Sequence, residues 1–128
     1  GARPLVDPKN IDKCIKGAVK NKATTLAVRP KDTIKQSETP FSKLVEKTIP
    51  RETLWLIQTP QAFEFKTIYD AHLAVSKTKQ FFTDDCAIVE NQNIKPLIIE
   101  GDYYNIKITT PEDIIIANVF DHSLSKEL

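Results

Sequence analysis

The sequence predicts an α/β fold, a mainly parallel twisted sheet covered by helices on both faces. Two observations point to it. Short apolar runs rich in β-branched residues alternate along the chain with segments whose apolar residues recur every three or four positions, and strands separated by helices imply crossovers to a parallel sheet. The run Ala23 to Val28 has no polar alternation, as expected of a strand buried on both sides.

Asp7-Pro8 supplies a helix cap with proline at the first helical position, and Ile11, Cys14, Ile15, Ala18 and Val19 follow on one face. A strand over 23–28 ends at Arg29-Pro30. Phe65, Ile68, Tyr69 and Leu73 mark a second amphipathic helix, with His72 on its apolar side. Thr83-Asp84 is read as the start of a third, short helix with Thr83 as its cap, running to about Val89. Strands are expected at 96–100 and 105–108. The last helix starts at Thr110-Pro111-Glu112-Asp113, and Ile114-Ile115-Ile116-Ala117 is apolar on almost every side, so burial is expected there.

Residues 31–59 break the alternation. Strand-like runs at 33–36 and 44–49 flank the polar Ser37-Glu38-Thr39-Pro40, and 54–58 makes another. They read as a projecting β-hairpin arm. A two-stranded ribbon is marginal in water, so its apolar side, with Ile34, Leu44, Val45 and Ile49, calls for another surface. A plain solvent-exposed hairpin is the other reading of the same residues.

A chain of 128 residues, 41% hydrophobic, suits one compact domain or half of a larger one. Its net charge of +1, with no long run of either sign, gives no broad electrostatic footprint for nucleic acid or for a membrane surface. The longest apolar stretch is far below the ~20 residues of a membrane-spanning helix, and no signal-like N-terminus is present, so a cytoplasmic location is expected. Cys14 and Cys86 have no Cys or His at metal-ligand spacing and are expected as reduced, core-facing thiols. No metal cluster and no nucleophile–histidine pair stand out, His72 is read as a packing residue, and His122 as solvated.

One residue stands apart. In Asn105-Ile106-Lys107-Ile108, Ile106 and Ile108 share one face and Lys107 takes the other, just before a helix whose first N–H groups are free. A cation beside a helix N-terminus is suited to an anion, although a solvated strand lysine has the same pattern.

Gly1-Ala2-Arg3-Pro4-Leu5-Val6, Thr59-Pro60-Gln61-Ala62-Phe63 and Tyr104 to Asp113, in this order, resemble the 2-C-methyl-D-erythritol 4-phosphate cytidylyltransferase family over nearly the whole chain. The resemblance implies a Rossmann-like nucleotidyltransferase domain of which residues 1–128 are the C-terminal portion, because the family's Gly-rich nucleotide loop lies upstream of its Ala-Arg-Pro segment. The absence of methionine agrees with a portion of a longer chain.

The implied reaction joins a sugar-alcohol phosphate to the α-phosphorus of CTP, releasing pyrophosphate. The attacking phosphate is largely ionised at neutral pH, with a second pKa of about 6, so no general base is needed. Alignment and charge compensation are.

The resemblance gives Lys107 the role of holding the substrate phosphate. Arg51, before Leu54-Trp55, is similar to a family arginine that reaches from the arm into the second subunit's site, and Thr33 to an arm hydroxyl meeting the same phosphate. Each has an ordinary alternative: Arg51 could pair with Glu52, and Thr33 could be a strand threonine. Arg3 is implied near the joining phosphates. Thr59 and Thr83 match threonines that line the sugar-alcohol pocket, whereas Trp55 and Phe63 are expected in the core. The resemblance also implies Mg2+ in the complete enzyme, its ligand aspartate lying just before Ala-Arg-Pro and outside this chain, and a homodimer locked through the arm. The chain alone is therefore expected to be inactive.

Asp102-Tyr103-Tyr104 departs from the methylerythritol pattern, and its tyrosines are similar to those of ribitol-5-phosphate cytidylyltransferases. Asp32-Thr33-Ile34-Lys35 and Thr-Pro-Gln-Ala-Phe favour methylerythritol phosphate. A non-catalytic dimerisation module lacking the nucleotide loop is the remaining alternative, and retention of Arg, Lys and Thr at the phosphate-contacting positions favours the enzyme.

Overall fold

The computed structural model describes residues 2–127. In chain order they form α1 (Pro8–Asn21), β1 (Ala23–Val28), β2 (Ile34–Ser37), β3 (Val45–Ile49), a 3-10 turn (Arg51–Thr53), β4 (Leu56–Phe63), α2 (Phe65–Ser76), α3 (Asp85–Glu90), β5 (Leu97–Glu100) and α4 (Pro111–Glu127). The sheet has the order β4-β1-β5, and β2-β3 form a separate two-stranded ribbon. The α/β class is as expected. Of the two pairings in the sheet, β1-β5 is parallel and β1-β4 antiparallel.

Every residue of β1 is buried, because helices cover both its faces. On one side Thr24 donates its hydroxyl to the carbonyl of Cys14 in α1 at 2.7 Å. A Cβ placed on Gly17 would lie 2.8 Å from Thr24 Cγ2, so the glycine sets how closely α1 approaches the sheet. On the other side Ala23 packs with Ala71 of α2 and Val89 of α3, joined by Phe63, Ile68, Ile88 and Ile94.

The ends of α1 follow its sequence. Asp7 accepts a hydrogen bond from the Lys9 amide at 2.9 Å, and Lys22 closes the helix in the left-handed region with φ 71°. Its buried stripe is Asn10, Cys14 and Ala18, whereas Ile15 and Val19 are exposed beside a groove shared with Ala62 and Phe63. The apolar face is thus wider than the surface that this chain offers it.

Several further expectations are corrected. Asp84, not Thr83, caps α3, since its carboxylate accepts from the Ala87 amide at 2.8 Å. His72 does not pack in the core: α2 buries Thr67 and Ala71, and exposed His72 instead reaches Asp85 at 3.0 Å. Residues 105–108 form no strand. Their backbone makes one backbone–backbone hydrogen bond to the N-terminal segment, Ile108 N–H to the Ala2 carbonyl at 2.7 Å, and enters no ladder.

Burial of α4 does not hold either. Ile114, Ile115 and Ile116 are 53, 66 and 43% exposed, because α4 has no layer of the described residues over its apolar face. Phe120 touches Tyr104 edge to face at 4.8 Å between ring centroids.

The arm is a ribbon of β2 and β3 alone, with Ile34 opposite Ile49 in an antiparallel pairing, whereas the third run expected in it, 54–58, leads into β4 of the main sheet. Phe41, Leu44 and Val45 stand in solvent near its tip. Both cysteines are free and buried, as expected. Burial first, and then the neighbouring carboxylates of Asp84, Glu90 and Asp85, push the Cys86 thiol up to about 12, against a smaller opposing hydrogen bond from Thr25.

Leu26 is fully buried in the central strand. Leu26→Ala is expected to lower stability by about 2–5 kcal/mol in urea unfolding of the protein containing this chain. Since the thiolate is the reactive form, Cys86 should resist alkylation by iodoacetamide at pH 8 in the native state and react on unfolding. Mass spectrometry of the labelled peptides reads this directly.

Candidate functional site

The site is built around a defect in the sheet. Thr25 pairs with Gln61 and Ala27 with Ile57, so Gln58, Thr59 and Pro60 together face Leu26 across the β1-β4 ladder. Pro60 has no N–H to give to a ladder, and proline inside a sheet is confined to such bulges or to edges. The Thr59-Pro60 peptide is cis. Released from regular pairing, the Thr59 carbonyl and the Gln58 side chain turn toward the loop that follows β5.

Asn105 meets them there. It is 1% exposed, and its Nδ2 donates to Gln58 Oε1 at 3.1 Å and to the Thr59 carbonyl at 2.9 Å. Gln58 in turn donates through Nε2 to the Asp102 carbonyl at 3.1 Å. The backbone carbonyl of Asn105 accepts from Arg3 Nη1 at 2.6 Å. With the Ile108–Ala2 bond, these contacts lay the N-terminal segment along residues 105–108. Burial pulls the Arg3 guanidinium below its ordinary pKa, but an arginine remains cationic at neutral pH. Asn105 Oδ1 is buried without a partner among the described residues.

Lys107 lies two residues beyond Asn105. Its side chain is exposed and has no hydrogen-bond or ion-pair partner among the described residues. The helix end beside it is less open than expected. Asp113 Oδ2 accepts from the amides of Thr109 and Thr110, each at 3.0 Å, and the Asp113 amide donates back to Thr110. These backbone hydrogen bonds hold the Asp113 carboxyl below its usual range. The chain's own carboxylate therefore occupies the amides just ahead of α4, and the positive character of this corner comes from Lys107 and Arg3.

Of the six sequence-derived site residues, Arg3 and Thr59 are thus linked through Asn105, and Lys107 follows that asparagine by two positions. Thr83 is exposed at the rim of a separate cavity of about 270 Å³, shared with Thr25, Asp84 and Cys86. Thr33 and Arg51 belong to the arm. Thr33 is exposed just before β2, and Arg51 opens the 3-10 turn, where its guanidinium donates to the Lys31 carbonyl and forms no ion pair with Glu52. Among the described residues no hydrogen bond links Arg51 or Thr33 to the Arg3–Asn105–Thr59 group.

The root of the arm is fastened by residues that the sequence reading passed over. Arg29 stacks its guanidinium 3.7 Å from the centroid of the Trp55 ring and donates to the carbonyls of Glu52 and Leu54, at 2.7 and 3.2 Å. Trp55 is therefore half-buried under a cation, outside the central core where it was expected. Tyr103, in the loop that carries Asn105, donates its hydroxyl to the Arg29 carbonyl at 2.8 Å and takes the Lys31 ammonium over its ring at 3.9 Å. Tyr103 thus joins the root of the arm to this loop.

Asn105 and Gln58 were also missed. The signal available for both was polarity inside apolar runs, which marks a buried polar contact as readily as a surface one.

Among the described residues, no three His, Cys, Asp or Glu side chains gather at metal-binding distance. No described helix is long and apolar enough to cross a membrane.

The sequence model of the family described as IspD, 2-C-methyl-D-erythritol 4-phosphate cytidylyltransferase, matches residues 1–122. The enzyme of that name from Geobacillus kaustophilus is 46% identical over 117 residues, covering 91% of this chain and 50% of the relative. The one from Clostridium beijerinckii is 46% identical over 120 residues, covering 94% and 52%. Among solved structures, 4-diphosphocytidyl-2C-methyl-D-erythritol synthase from Anaerococcus prevotii superposes with a TM-score of 0.85 at 36% identity, over 94% of this chain and 53% of that one. The Francisella tularensis cytidylyltransferase does so with a TM-score of 0.80 at 33% identity, over 91% and 54%. The chain spans about half the length of the relatives it matches, and within that span it belongs to the 2-C-methyl-D-erythritol 4-phosphate cytidylyltransferase family.

Proposed function

We propose that this chain is the C-terminal portion of a cytidylyltransferase that joins 2-C-methyl-D-erythritol 4-phosphate to CTP, releasing pyrophosphate and making 4-diphosphocytidyl-2-C-methylerythritol. What supports the reading is membership of this family together with an exposed Lys107, without a side-chain partner among the described residues, two positions beyond the buried Asn105 that bonds to Arg3 and to the Thr59 carbonyl. Such a corner suits a phosphorylated polyol.

In the mechanism, the substrate phosphate attacks the α-phosphorus of CTP in line with the departing pyrophosphate. It is already anionic, so the protein's work is to bring two repelling anions together and to compensate the charge that builds between them. Lys107 holds the attacking phosphate, and Arg3 faces the joining phosphates. Thr59 and Thr83 line the polyol, and Thr33 adds a hydroxyl donor to its phosphate. Arg51 grips the same phosphate from the arm of a second protomer, where a guanidinium can use two parallel hydrogen bonds. The exposed apolar tip of the arm supports a homodimer, since it needs a covering surface. Mg2+ would bind the nucleotide phosphates in the complete cytoplasmic enzyme, through ligands that the described residues do not supply.

In the full-length enzyme, Lys107→Ala and Arg51→Ala are each expected to cost about 2–4 kcal/mol of transition-state stabilisation with an unchanged unfolding transition. Near-wild-type kcat/KM in either variant removes that residue from the site. Mixing the two variant proteins should regenerate one working site per mixed dimer if Arg51 acts across the interface. A mixture no more active than its components places both residues in one site.

A further inference from the structure

We propose that Asn105 is a positioning residue for the transfer reaction: its buried side-chain amide fixes residues 105–108 against the bulge of β4 and so sets where Lys107 stands relative to Thr59 and Arg3. This role rests on the proposed work of Lys107 as the phosphate-holding cation.

The argument begins with what the amide does. Both Nδ2 hydrogens are used, one on the Gln58 side chain and one on the Thr59 carbonyl, so the Asn105 backbone has a single seat on β4. That seat turns the Asn105 carbonyl toward Arg3, the 2.6 Å bond described above. No ladder supports 105–108, whose other anchor is the bond from Ile108 to Ala2. Lys107 lies between the two anchors, with nothing among the described residues holding its side chain.

Stability alone does not account for every atom of the same residue. Among the described residues Asn105 Oδ1 is shut from water without a donor, and an unpaired buried acceptor carries a desolvation penalty that an apolar side chain of similar size would avoid. What the asparagine adds over such a side chain is the pair of donors that tie Gln58 and Thr59 to the segment bearing Lys107. Gly101 supports this geometry, since a Cβ there would lie 2.8 Å from Gln58 Oε1 and crowd the partner of Asn105.

The test uses the full-length enzyme with CTP and 2-C-methyl-D-erythritol 4-phosphate. Asn105→Asp keeps the size and replaces the donor with an oxygen that faces two acceptors. It is expected to lower kcat/KM at least tenfold in the wild-type background but less than threefold in a Lys107→Ala background, because a positioning group loses its effect once the group it positions is gone. Equal losses in both backgrounds would make Asn105 structural only and overturn the proposal. If Asn105→Asp does not fold, Gln58→Leu removes one of the two acceptors, and the same contrast between backgrounds applies. Wild-type protein inert toward this substrate pair overturns the proposed reaction and this role with it, whereas wild-type turnover with an additive effect overturns the positioning role alone.

Discussion

A proline in the middle of a strand governs much of this structure. Pro60 cannot donate to the ladder, so β4 bulges opposite Leu26 and its carbonyl at Thr59 is left without a strand partner. A buried carbonyl must be satisfied somewhere. The amide of Asn105 satisfies it, and in doing so ties the far end of the chain to the middle of the sheet. The N-terminal segment then follows, drawn in by Arg3 and Ala2. Segments more than a hundred residues apart in sequence become neighbours through one missing N–H.

The sheet around this defect is the stable part. β1 is buried on both faces, gripped by α1 through Thr24 and by α2 and α3 through a small apolar cluster. Away from β1 the apolar surface is poorly covered. The stripe on α4, the Ile15 and Val19 edge of α1, and the tip of the ribbon all face solvent in this chain. Exposed apolar area on this scale marks surfaces that meet other protein.

Local chemistry was legible in the sequence where it acted over a few residues. Asp7-Pro8 starts α1 as read, the apolar run at 23–28 is the buried central strand, and the interruption after Pro30 is a ribbon. Two of the failures, at 105–108 and at His72, share a cause, which is that a partner distant in sequence decided the outcome. Asn105 to Ile108 carries strand-forming residues but bonds to Ala2 and Thr59 instead of a neighbouring strand. Asp84 outcompetes Thr83 as a cap because its carboxylate reaches the Ala87 amide, and His72 finds a carboxylate on the next helix. Of the site, Lys107, Arg3 and Thr59 could be named from motifs, but the asparagine joining them could not, since nothing in its immediate neighbours announces a partner 46 residues away.

The clasp at the root of the ribbon carries one more implication. Two short strands extend roughly 3.3 Å per residue, so the apolar tip with Phe41 and Leu44 rides at the end of a lever several residues long, with its fulcrum at Arg29, Trp55 and Tyr103. The ribbon and the loop that leads to Lys107 share their support at Tyr103, so a change in the ribbon's angle would have to be taken up at that tyrosine.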